Sequence, residues 1–367
     1  MKSLLAAFLI VASGALSAQT TVDSLLNDGI YRTYLLHVPP GFQPSENPAL
    51  VLNFHGLTST GAQQEFYSEM NAVADAERFV VAYPDGINNS WNLGLGQVDD
   101  YGFVSALIDD LVISHNVDPQ RVYACGMSQG GMVSLLFACS MFDKIAAVAS
   151  VAGGMTPGLA PVCQPTRPVP VMMINGTADA IVPYAGGLGN IDTDDAIDHW
   201  VGHNGCDLTP VITPYPDLVL LDFCTAVRED HLNGAAGSEV ALIRVVDGDH
   251  TWPGASLPIG VTNQDFEASQ VIWDFFEQFV LSGNTGVQAD AAQQFAIGPN
   301  PCSGTLTING RGSFTASLWD ASGRQVAAGN ALSGSTRIGT EALPAGPYVL
   351  RINGSDGARS SLLVIQH

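Results

Sequence analysis

The sequence predicts a doubly wound α/β domain with a mostly parallel sheet, followed by a small all-β sandwich. From residue 32 to about residue 281, short apolar runs alternate with segments that repeat apolar residues every three or four positions. After Leu281 the helical period stops, and short alternating runs separated by glycine-containing turns follow. The chain of 367 residues therefore divides into two domains of different class.

The elements of the first domain follow from these apolar runs. Strands that end at Gly, Pro, Asp or Asn are expected at 50–54, 79–83, 121–125, 169–174 and 240–246. Helices are expected between them, at 63–78, 100–115, 130–140, 194–203 and 264–281. Asp99 and Asp100 are expected to cap the second of these helices. Apolar strands separated by helices are typical of a parallel sheet covered on both faces.

The tail and the amino terminus complete the domain prediction. Strands are expected in the tail at 306–308, 314–319, 348–352 and 361–365. The sequence predicts a signal peptide at 1–18. Its first residues are positively charged, the apolar run that follows is too short to span a bilayer, and small residues precede position 19. A retained membrane anchor is the alternative. The predicted boundaries are therefore 19–281 for the main domain, 282–294 for a polar linker and 295–367 for the sandwich.

Charge excludes two classes of partner. The chain carries a net charge of -22 with only 13 Lys and Arg residues, so it has few groups to meet a phosphate backbone. The same balance disfavours anionic membranes, and no later run is long enough for membrane insertion. Charged residues make up 13% of the chain, which suits an extracellular protein.

Cysteine usage agrees with an oxidising compartment. Six cysteines allow 15 complete pairings, so sequence alone leaves the connectivity open. Cys125 is expected to be a buried thiol and Cys302 lies in the tail domain, which leaves four. We predict the pairs Cys139–Cys163 and Cys206–Cys224. The cysteines lack the spacing of a zinc site. His199 and His203 stand four apart on a predicted helix, but Trp200 occupies the position where zinc proteases carry their glutamate, so no metal is predicted.

A serine in a sharp-turn motif is the first candidate for chemistry. Residues 126–130 read Gly-Met-Ser-Gln-Gly, which fits the pattern Gly-x-Ser-x-Gly with Ser128 at its centre. The pentapeptide alone is weak because Gly and Ser are common in this chain. Here an apolar strand enters it and a helical apolar pattern leaves it. That context is typical of the nucleophile elbow of α/β-hydrolases.

A serine hydroxyl needs a base and a carboxylate that orients the base. In α/β-hydrolases the acid and then the histidine follow the serine, on loops after late strands, and Asp179 and His250 occupy such positions. The alternative for His250 is a loop histidine bonded to backbone, and for Asp179 a turn cap. The rival acids are Asp222, Asp247 and Asp249.

Two further groups complete the expected site. The tetrahedral intermediate carries a negatively charged oxygen that must be stabilised by backbone N–H donors. Gln129 and Leu57 are the candidate donors. His55 beside them is expected to be a packed, hydrogen-bonded histidine. Trp91, Tyr184 and Trp252 lie in loops after strands and are expected to edge an open cleft that binds substrate. The alternative for Trp91 and Trp252 is ordinary packing beneath loops.

The motifs of residues 32–281 resemble one family of secreted α/β-hydrolases, which contains polyhydroxybutyrate depolymerases, feruloyl esterases and acetylxylan esterases. The similar segments are Tyr83-Pro84-Asp85-Gly86, Ser90-Trp91-Asn92, Asp99-Asp100, Arg121-Val122-Tyr123, Gly126-Met127-Ser128-Gln129-Gly130-Gly131-Met132, Asp179 with Val182-Pro183-Tyr184, and His250-Thr251-Trp252-Pro253-Gly254. The resemblance implies a triad of Ser128, Asp179 and His250 and an oxyanion hole of Leu57 and Gln129. The chain departs from the family at Asn175, often His, and at Asp249, usually Gly.

The tail resembles the C-terminal sorting domain of proteins exported by the type IX secretion system. The resemblance rests on Pro299-Asn300-Pro301, Leu318-Trp319-Asp320, Gly323-Arg324 and the segment 343–348. It implies the type IX machinery as a partner and a secreted or cell-surface location reached through the periplasm. A carbohydrate- or polymer-binding module is the alternative.

These observations predict a serine hydrolase that cleaves carboxylic esters through an acyl-serine intermediate, with no metal or organic cofactor. The substrate is expected to be a polyester, a plant cell-wall ester or a small ester. A peptidase on the same fold is the rival enzyme, and a catalytically inactive surface-binding protein is the rival of another class.

Overall fold

The chain forms two compact units, Met1–Gly283 and Asn284–His367. The computed structural model describes residues 19–94, 98–187, 189–281, 296–298, 302–309, 313–320, 324–331, 334–354 and 357–365. The predicted signal peptide at 1–18 and the predicted linker at 282–294 lie outside the described residues.

The first unit is built on a ten-stranded sheet within the described residues. Its strands are β1 (Gln19–Asn27), β2 (Ile30–Val38), β3 (Leu50–Phe54), β4 (Val80–Pro84), β5 (Val122–Met127), β6 (Ala147–Val151), β7 (Val171–Gly176), β8 (Val211–Pro214), β9 (Thr225–His231) and β10 (Val240–Val246). Their order is β1-β2-β4-β3-β5-β6-β7-β10-β9-β8. The strands from β4 to β10 in that order are parallel, and the outer pairs are antiparallel.

Six α-helices of the described residues belong to this unit. They are α1 (Gly61–Ser68), α2 (Met70–Glu77), α3 (Asp100–Ser114), α4 (Gln129–Ser140), α5 (Thr193–Asn204) and α6 (Ala268–Phe276). The helix expected at 63–78 is two helices, because Glu69 adopts a left-handed φ of 52° between them. In the part of the chain that the structure describes, none of the helices could reach across a bilayer.

Two apolar layers cover the two faces of the sheet. Along β3, Leu50, Leu52 and Phe54 pack into one layer, whereas Val51 packs into the other. Because successive side chains of a strand point to opposite faces, a strand buried on both sides is apolar at nearly every position. This explains the continuous apolar runs of the sequence and confirms the predicted doubly wound sheet.

The second unit consists of two small antiparallel sheets. One contains β11 (Ala296–Gly298), β12 (Thr305–Asn309) and β15 (Ser335–Gly339), and the other contains β13 (Phe314–Trp319), β14 (Gln325–Ala331), β16 (Gly346–Gly354) and β17 (Gly357–Ile365). Leu306 and Ile338 of the first sheet share one apolar core with Leu318 and Leu350 of the second. Two sheets packed over a common core form the predicted sandwich.

The cysteines agree with the prediction in part. Cys139 and Cys163 form a disulfide, as predicted, across a sequence separation of 24 residues. The predicted pair Cys206–Cys224 is wrong, since both side chains are free thiols.

The position of these thiols explains the correction. Cys224 directly precedes β9, whereas Asp207, next to Cys206, bonds through its amide to Leu232 just past the far end of that strand. A seven-residue strand spans roughly 20 Å. A disulfide requires Cα atoms about 4.4–6.8 Å apart, so these two sulfurs cannot meet.

Candidate active site

Ser128 lies on the sharp turn between β5 and α4. Its backbone adopts φ 56° and ψ −121°, a conformation that L-residues rarely occupy. The turn is held because the Ser128 amide donates to the carbonyl oxygen of Val151 on the neighbouring strand β6 (2.8 Å). Surrounding structure thus enforces a strained serine at the carboxyl edge of the sheet.

The two glycines of the motif allow β3 and α4 to pass this turn at close range. A Cβ atom at Gly126 would lie 2.4 Å from the carbonyl oxygen of Phe54, and one at Gly130 would lie 2.0 Å from the same atom. Real Cβ atoms do not approach an oxygen so closely. Any side chain at either position would push the helix away from the sheet and move Ser128.

His250 and Asp179 come from loops that follow the neighbouring strands β10 and β7. The two loops are joined by their backbones, since the Ala178 amide donates to Gly248 (3.0 Å). His250 Nδ1 is 2.7 Å from Asp179 Oδ2, and the exposed fractions of the two side chains are 18% and 1%. The imidazole therefore reaches solvent, whereas the carboxylate that orients it is buried.

Asp179 uses its other oxygen to hold its own turn. Oδ1 accepts hydrogen bonds from the amides of Ile181 and Val182, both at 2.8 Å. The Asp179 carboxylate therefore both caps its own turn and binds His250. Of the rival acids, Asp247 is exposed and the other two bond to backbone amides elsewhere: Asp222 to Cys224 and Gln264, and Asp249 to Val261.

Ser128 and His250 line the same cavity, which has a volume of about 580 Å³. Its apolar lining consists of Leu57, Phe66, Tyr67, Met127, Leu257 and Ile259, and no described residue of the lining carries a charged carboxylate, ammonium or guanidinium group. Leu57, Phe66, Leu257 and Ile259 are more than half exposed, so the mouth of the cavity is open to solvent. This volume is ordinary for a small-molecule site.

Leu57 lines the same cavity as Ser128, and Gln129 follows the serine in the chain. Gly56, next to Leu57, is so close to the serine that a Cβ atom added there would lie 3.3 Å from Ser128 Cβ. The Leu57 amide makes no backbone hydrogen bond within the described residues. Gln129 begins α4, and its amide is one of the N–H groups that a helix leaves without an internal partner.

His55 fixes the turn that carries Gly56 and Leu57. The ring is fully buried, Nδ1 donates to the Gly56 carbonyl (2.7 Å) and Nε2 accepts from the Gly86 amide (2.9 Å). One neutral tautomer satisfies both bonds. Burial lowers the pKa of His55 below its usual value of 6.5, which keeps the ring in that neutral form.

The side chain of Gln129 joins this turn to α4 through Trp91. Gln129 Oε1 accepts from the Trp91 amide (3.0 Å), and the Trp91 indole donates to the His55 carbonyl (2.9 Å). This role of Gln129 was not predicted, because it depends on the loop between β4 and α3, whose path has no local sequence signal.

The structure does not place the three predicted substrate-binding aromatics on the cavity. Trp91 and Trp252 are only 3% and 1% exposed, which corrects the expectation that their rings are open to substrate. The Trp252 indole instead donates to Ser269 Oγ on α6 (3.2 Å). Tyr184 is half-buried, and its hydroxyl donates to Asp194 Oδ1 (2.6 Å).

The cavity is lined instead by residues that the sequence did not single out. Phe66 and Tyr67 come from α1, and Leu257 and Ile259 come from the loop after His250. A signal existed for this loop, because the apolar segment Leu257-Pro258-Ile259 has no place in a strand or a helix. Apolar residues in a loop near a catalytic strand end are candidates for substrate contact.

Family models match both units. Residues 32–182 match the family described as Esterase PHB depolymerase. Residues 296–366 match the secretion system C-terminal sorting domain, as predicted for the tail, and this domain indicates secretion or display at the cell surface.

Related proteins extend the match beyond these models. NocK of Nocardia uniformis subsp. tsuyamanensis, a protein provisionally assigned as an esterase, is 32% identical over 286 residues, which cover 70% of this chain and 83% of that protein. Feruloyl esterase B of Piromyces equi is 27% identical over 268 residues, 68% of this chain but only 46% of the fungal protein.

The fold has a counterpart among solved structures. The acetyl xylan esterase from Aspergillus awamori superposes with a TM-score of 0.52 at 14% sequence identity, over 70% of this chain and 99% of that enzyme. That superposition confirms the predicted α/β-hydrolase fold. The chain therefore belongs to the PHB depolymerase esterase family, whose members are α/β-hydrolases that use a serine to cleave carboxylic ester bonds.

Proposed function

We propose that Ser128 is the nucleophile, His250 the general base and Asp179 the orienting acid of this esterase. The observation that carries the proposal is the bond of 2.7 Å between His250 Nδ1 and Asp179 Oδ2, beside a cavity that His250 shares with Ser128. The presence of all three residue types, with His250 bonded to Asp179 and sharing a cavity with Ser128, supports an enzyme over an inactive surface-binding protein.

The proposed reaction has two halves. His250 Nε2 takes the proton of the Ser128 hydroxyl while its oxygen attacks the ester carbonyl carbon. The tetrahedral intermediate collapses, the alcohol leaves with that proton, and the acyl group stays on the serine. Water then attacks the acyl-serine with His250 again acting as base, and the carboxylic acid is released. Asp179 stabilises the imidazolium in both halves and does not itself change protonation.

The oxyanion of each tetrahedral intermediate is proposed to lie between the Leu57 and Gln129 amides. Leu57 lines the cavity that contains Ser128, Gln129 follows the serine in the chain, and neither amide makes a backbone hydrogen bond within the described residues. Such donors act without reorganising during the reaction, because His55 and the Gln129 side chain already hold their turns. Loss of one such donor costs about 10²–10³ in turnover in a serine protease.

The substrate is proposed to be an uncharged ester with apolar groups beside the scissile bond. The described lining of the cavity offers methyl, methylene and ring surfaces and no ionic partner. A charged acyl group would lose its hydration there without compensation. Polyesters, aryl esters of plant cell walls and small acyl esters all satisfy this condition.

The sorting domain is proposed to be read by the type IX machinery in the periplasm, after the segment 1–18 has directed the chain across the inner membrane. The match at 296–366 supports the last step of this route. The amino-terminal segment has the charge and length pattern of a signal peptide.

The nucleophile assignment is tested with Ser128→Ala and a matched control, Ser140→Ala, at the exposed far end of α4. Ser128→Ala is expected to lose on the order of 10⁶ in turnover on a soluble ester. It should also escape labelling by a fluorophosphonate. Ser140→Ala should keep both properties. A Ser128→Ala protein that retained a tenth of the wild-type rate would rule out the assignment.

A further inference from the structure

Two separate segments of the chain supply apolar side chains to the cavity that contains Ser128. Phe66 and Tyr67 come from α1, whereas Leu257 and Ile259 come from the loop between β10 and α6. The shape of the cavity therefore depends on where this loop lies relative to α1.

The loop leaves the protein interior at Ser256. Residues 251–255 are buried, whereas residues 256–260, which we call the strap, are exposed. The base of the loop is closed, since the Gly254 amide donates to the Asn263 carbonyl (2.9 Å). An exposed segment of this kind has few buried contacts of its own, so its position depends on the groups that anchor its ends.

A carboxylate anchors each end of the strap. Glu69 Oε2 accepts from the Ser256 hydroxyl (2.9 Å) and from the Ser256 amide (3.3 Å). At the other end, Asp249 Oδ2 accepts from the Val261 amide (2.8 Å). Hydrogen bonds to a carboxylate are stronger than those between neutral groups. Glu69 thus fixes the first end of the strap to the junction between α1 and α2.

Glu69 holds this position against two costs. Its backbone has φ 52° and ψ 23°, a left-handed conformation that Asn or Gly adopts with less strain. A second carboxyl group also lies near, because burial and then the charge of Glu69 raise the pKa of Glu267 above 4.5. Neither the backbone nor the neighbouring charge accounts for a glutamate here. The two bonds to Ser256 do, since they use its length and its charge.

The end of α1 both lines the cavity and holds the loop. The Tyr67 ring is part of the cavity lining, and its hydroxyl accepts from the Trp252 amide (3.4 Å). Two residues later, Glu69 binds Ser256, which directly precedes Leu257. The spacing between the two lining segments is therefore fixed by contacts that lie next to the lining residues themselves.

We propose that Glu69 is a positioning residue that sets the substrate specificity of the esterase, because it holds the strap at a fixed distance from α1. This inference rests on the proposed function, since it concerns the shape of the same site. A strap that is already held binds an ester group without a cost of ordering. It also discriminates between groups of equal size and different width, because a wide group would have to displace Leu257 or Ile259.

The test compares isomeric ester groups, which contain the same number of carbon atoms but differ in width. One pair is p-nitrophenyl hexanoate and p-nitrophenyl 3,3-dimethylbutanoate, in which the acyl group varies. The other is hexyl acetate and 3,3-dimethylbutyl acetate, in which the alcohol varies. The wild type is expected to prefer the linear member of at least one pair in kcat/KM. Differences in intrinsic reactivity between isomers are the same for every variant and cancel.

Glu69→Asn removes the anchor and keeps a residue that suits the left-handed backbone, because the Asn side chain is too short to reach Ser256. This variant should reduce the preference for the linear isomer by about fivefold, chiefly through KM. Glu69→Gln keeps the length and one acceptor oxygen, so it should retain most of the preference. Glu77→Asn is the matched control, since it removes the same charge at the exposed end of α2 and should leave the preference unchanged.

Ser256→Ala tests the other side of the contact. It removes the hydroxyl but keeps the amide, so it should give part of the loss seen in Glu69→Asn. The double variant Glu69→Asn/Ser256→Ala should lose no more than Glu69→Asn alone, because both changes remove the same interaction. Additive losses would mean that the two residues act on specificity independently, and the proposal would fail.

Other outcomes would also overturn the proposal. These are a wild type without a preference for the linear member of either pair, an unchanged preference in Glu69→Asn, or an equal loss in Glu77→Asn. A lower Tm of Glu69→Asn with an unchanged preference would mean that the residue only supports the fold. Failure of the proposed function would look different, since Ser128→Ala would then still hydrolyse p-nitrophenyl hexanoate, whatever the preference of the Glu69 variants.

Discussion

Asp179 divides its two oxygens between a turn and a histidine. Replacement by Asn preserves the shape and one acceptor, but it puts an amide where His250 Nδ1 donates. The imidazole is then driven towards the wrong tautomer, for which a serine protease loses about 10⁴ in turnover. We expect Asp179→Asn to lower kcat by a similar factor and KM little, as measured on a soluble ester.

Asp249→Asn and Asp222→Asn are the controls for this assignment. Their carboxylates accept from backbone amides and do not contact His250 in the described structure. Either should reduce kcat by less than tenfold. A larger loss in one of them than in Asp179→Asn would transfer the acid role to it.

His55 makes the stability of the enzyme depend on pH. Its folded pKa lies below 6.5 because the ring is buried, whereas the unfolded chain binds a proton near pH 6.5. The unfolded state therefore binds more protons in mild acid, and the stability contributed by neutral His55 is full above pH 6.5 and declines below it.

Denaturant unfolding at pH 7.5 and pH 5.5 tests this dependence. The free energy of unfolding should fall with acidification by up to about 1.4 kcal/mol per pH unit for this one proton. His55→Gln, which cannot titrate, should show a shallower slope. The pKa values of His115 and His199 are also lowered by burial, but both residues remain in the two proteins and cancel in the comparison. Equal slopes would contradict the assignment.

Among the elements, the buried ion pair between β2 and α3 was not predicted. Asp99 caps α3 as expected, with Oδ1 accepting from the Gly102 amide (2.7 Å). Asp100 does not cap, because its side chain is buried against Arg32 of β2, with Arg32 Nη2 2.7 Å from Asp100 Oδ1. The expectation for Asp100 is therefore corrected: it joins a strand to a helix.

Removing one partner of this pair should be costly. Arg32→Met leaves the Asp100 carboxylate buried without its cation, which typically costs about 3–5 kcal/mol of folding free energy. The double variant Arg32→Met/Asp100→Asn should be less destabilised than the sum of the two single variants. Urea unfolding of the four proteins gives the coupling, and additive losses would mean that the pair contributes nothing as a pair.

Elements were predictable where burial imposes a run of large apolar residues, whereas β6, built mostly of Ala and Ser, was missed although it is buried throughout. The central strands β3 and β10 appear at the predicted positions because each is apolar at all but one position. The edge strand β8 was missed because it is exposed along its whole length, which removes the alternation that marks a strand. The same reasoning applies to the site. Ser128 and His250 could be predicted because they follow predicted strands, whereas Phe66 and Ile259 reach the cavity through tertiary packing alone.

At the scale of the whole molecule, the chain separates chemistry from export. All residues of the proposed site belong to the first unit, and the second unit has its own apolar core. A chain covering 19–281 should therefore fold and hydrolyse a soluble ester with an unchanged kcat/KM. In its native host, the protein without 295–367 should remain in the periplasm, as measured by cell fractionation.

Two results would contradict this division of labour. A marked loss of soluble-ester activity on truncation would mean that the tail supports the catalytic unit. Normal export of the truncated protein, with loss of polymer binding alone, would favour a binding module at 295–367.

The order of strands in the sheet also sets when activity first becomes possible. Ser128, Asp179 and His250 follow β5, β7 and β10, which are separated along the chain but lie within four neighbouring positions of the sheet. Parallel pairing of this kind must close long loops, and the entropy cost of closing them precedes the free energy gained from the contacts. Such pairing therefore forms late in folding. With the proposed triad, a newly made chain should be chemically silent until β10 docks on β7, and during refolding hydrolysis should return after helix content does.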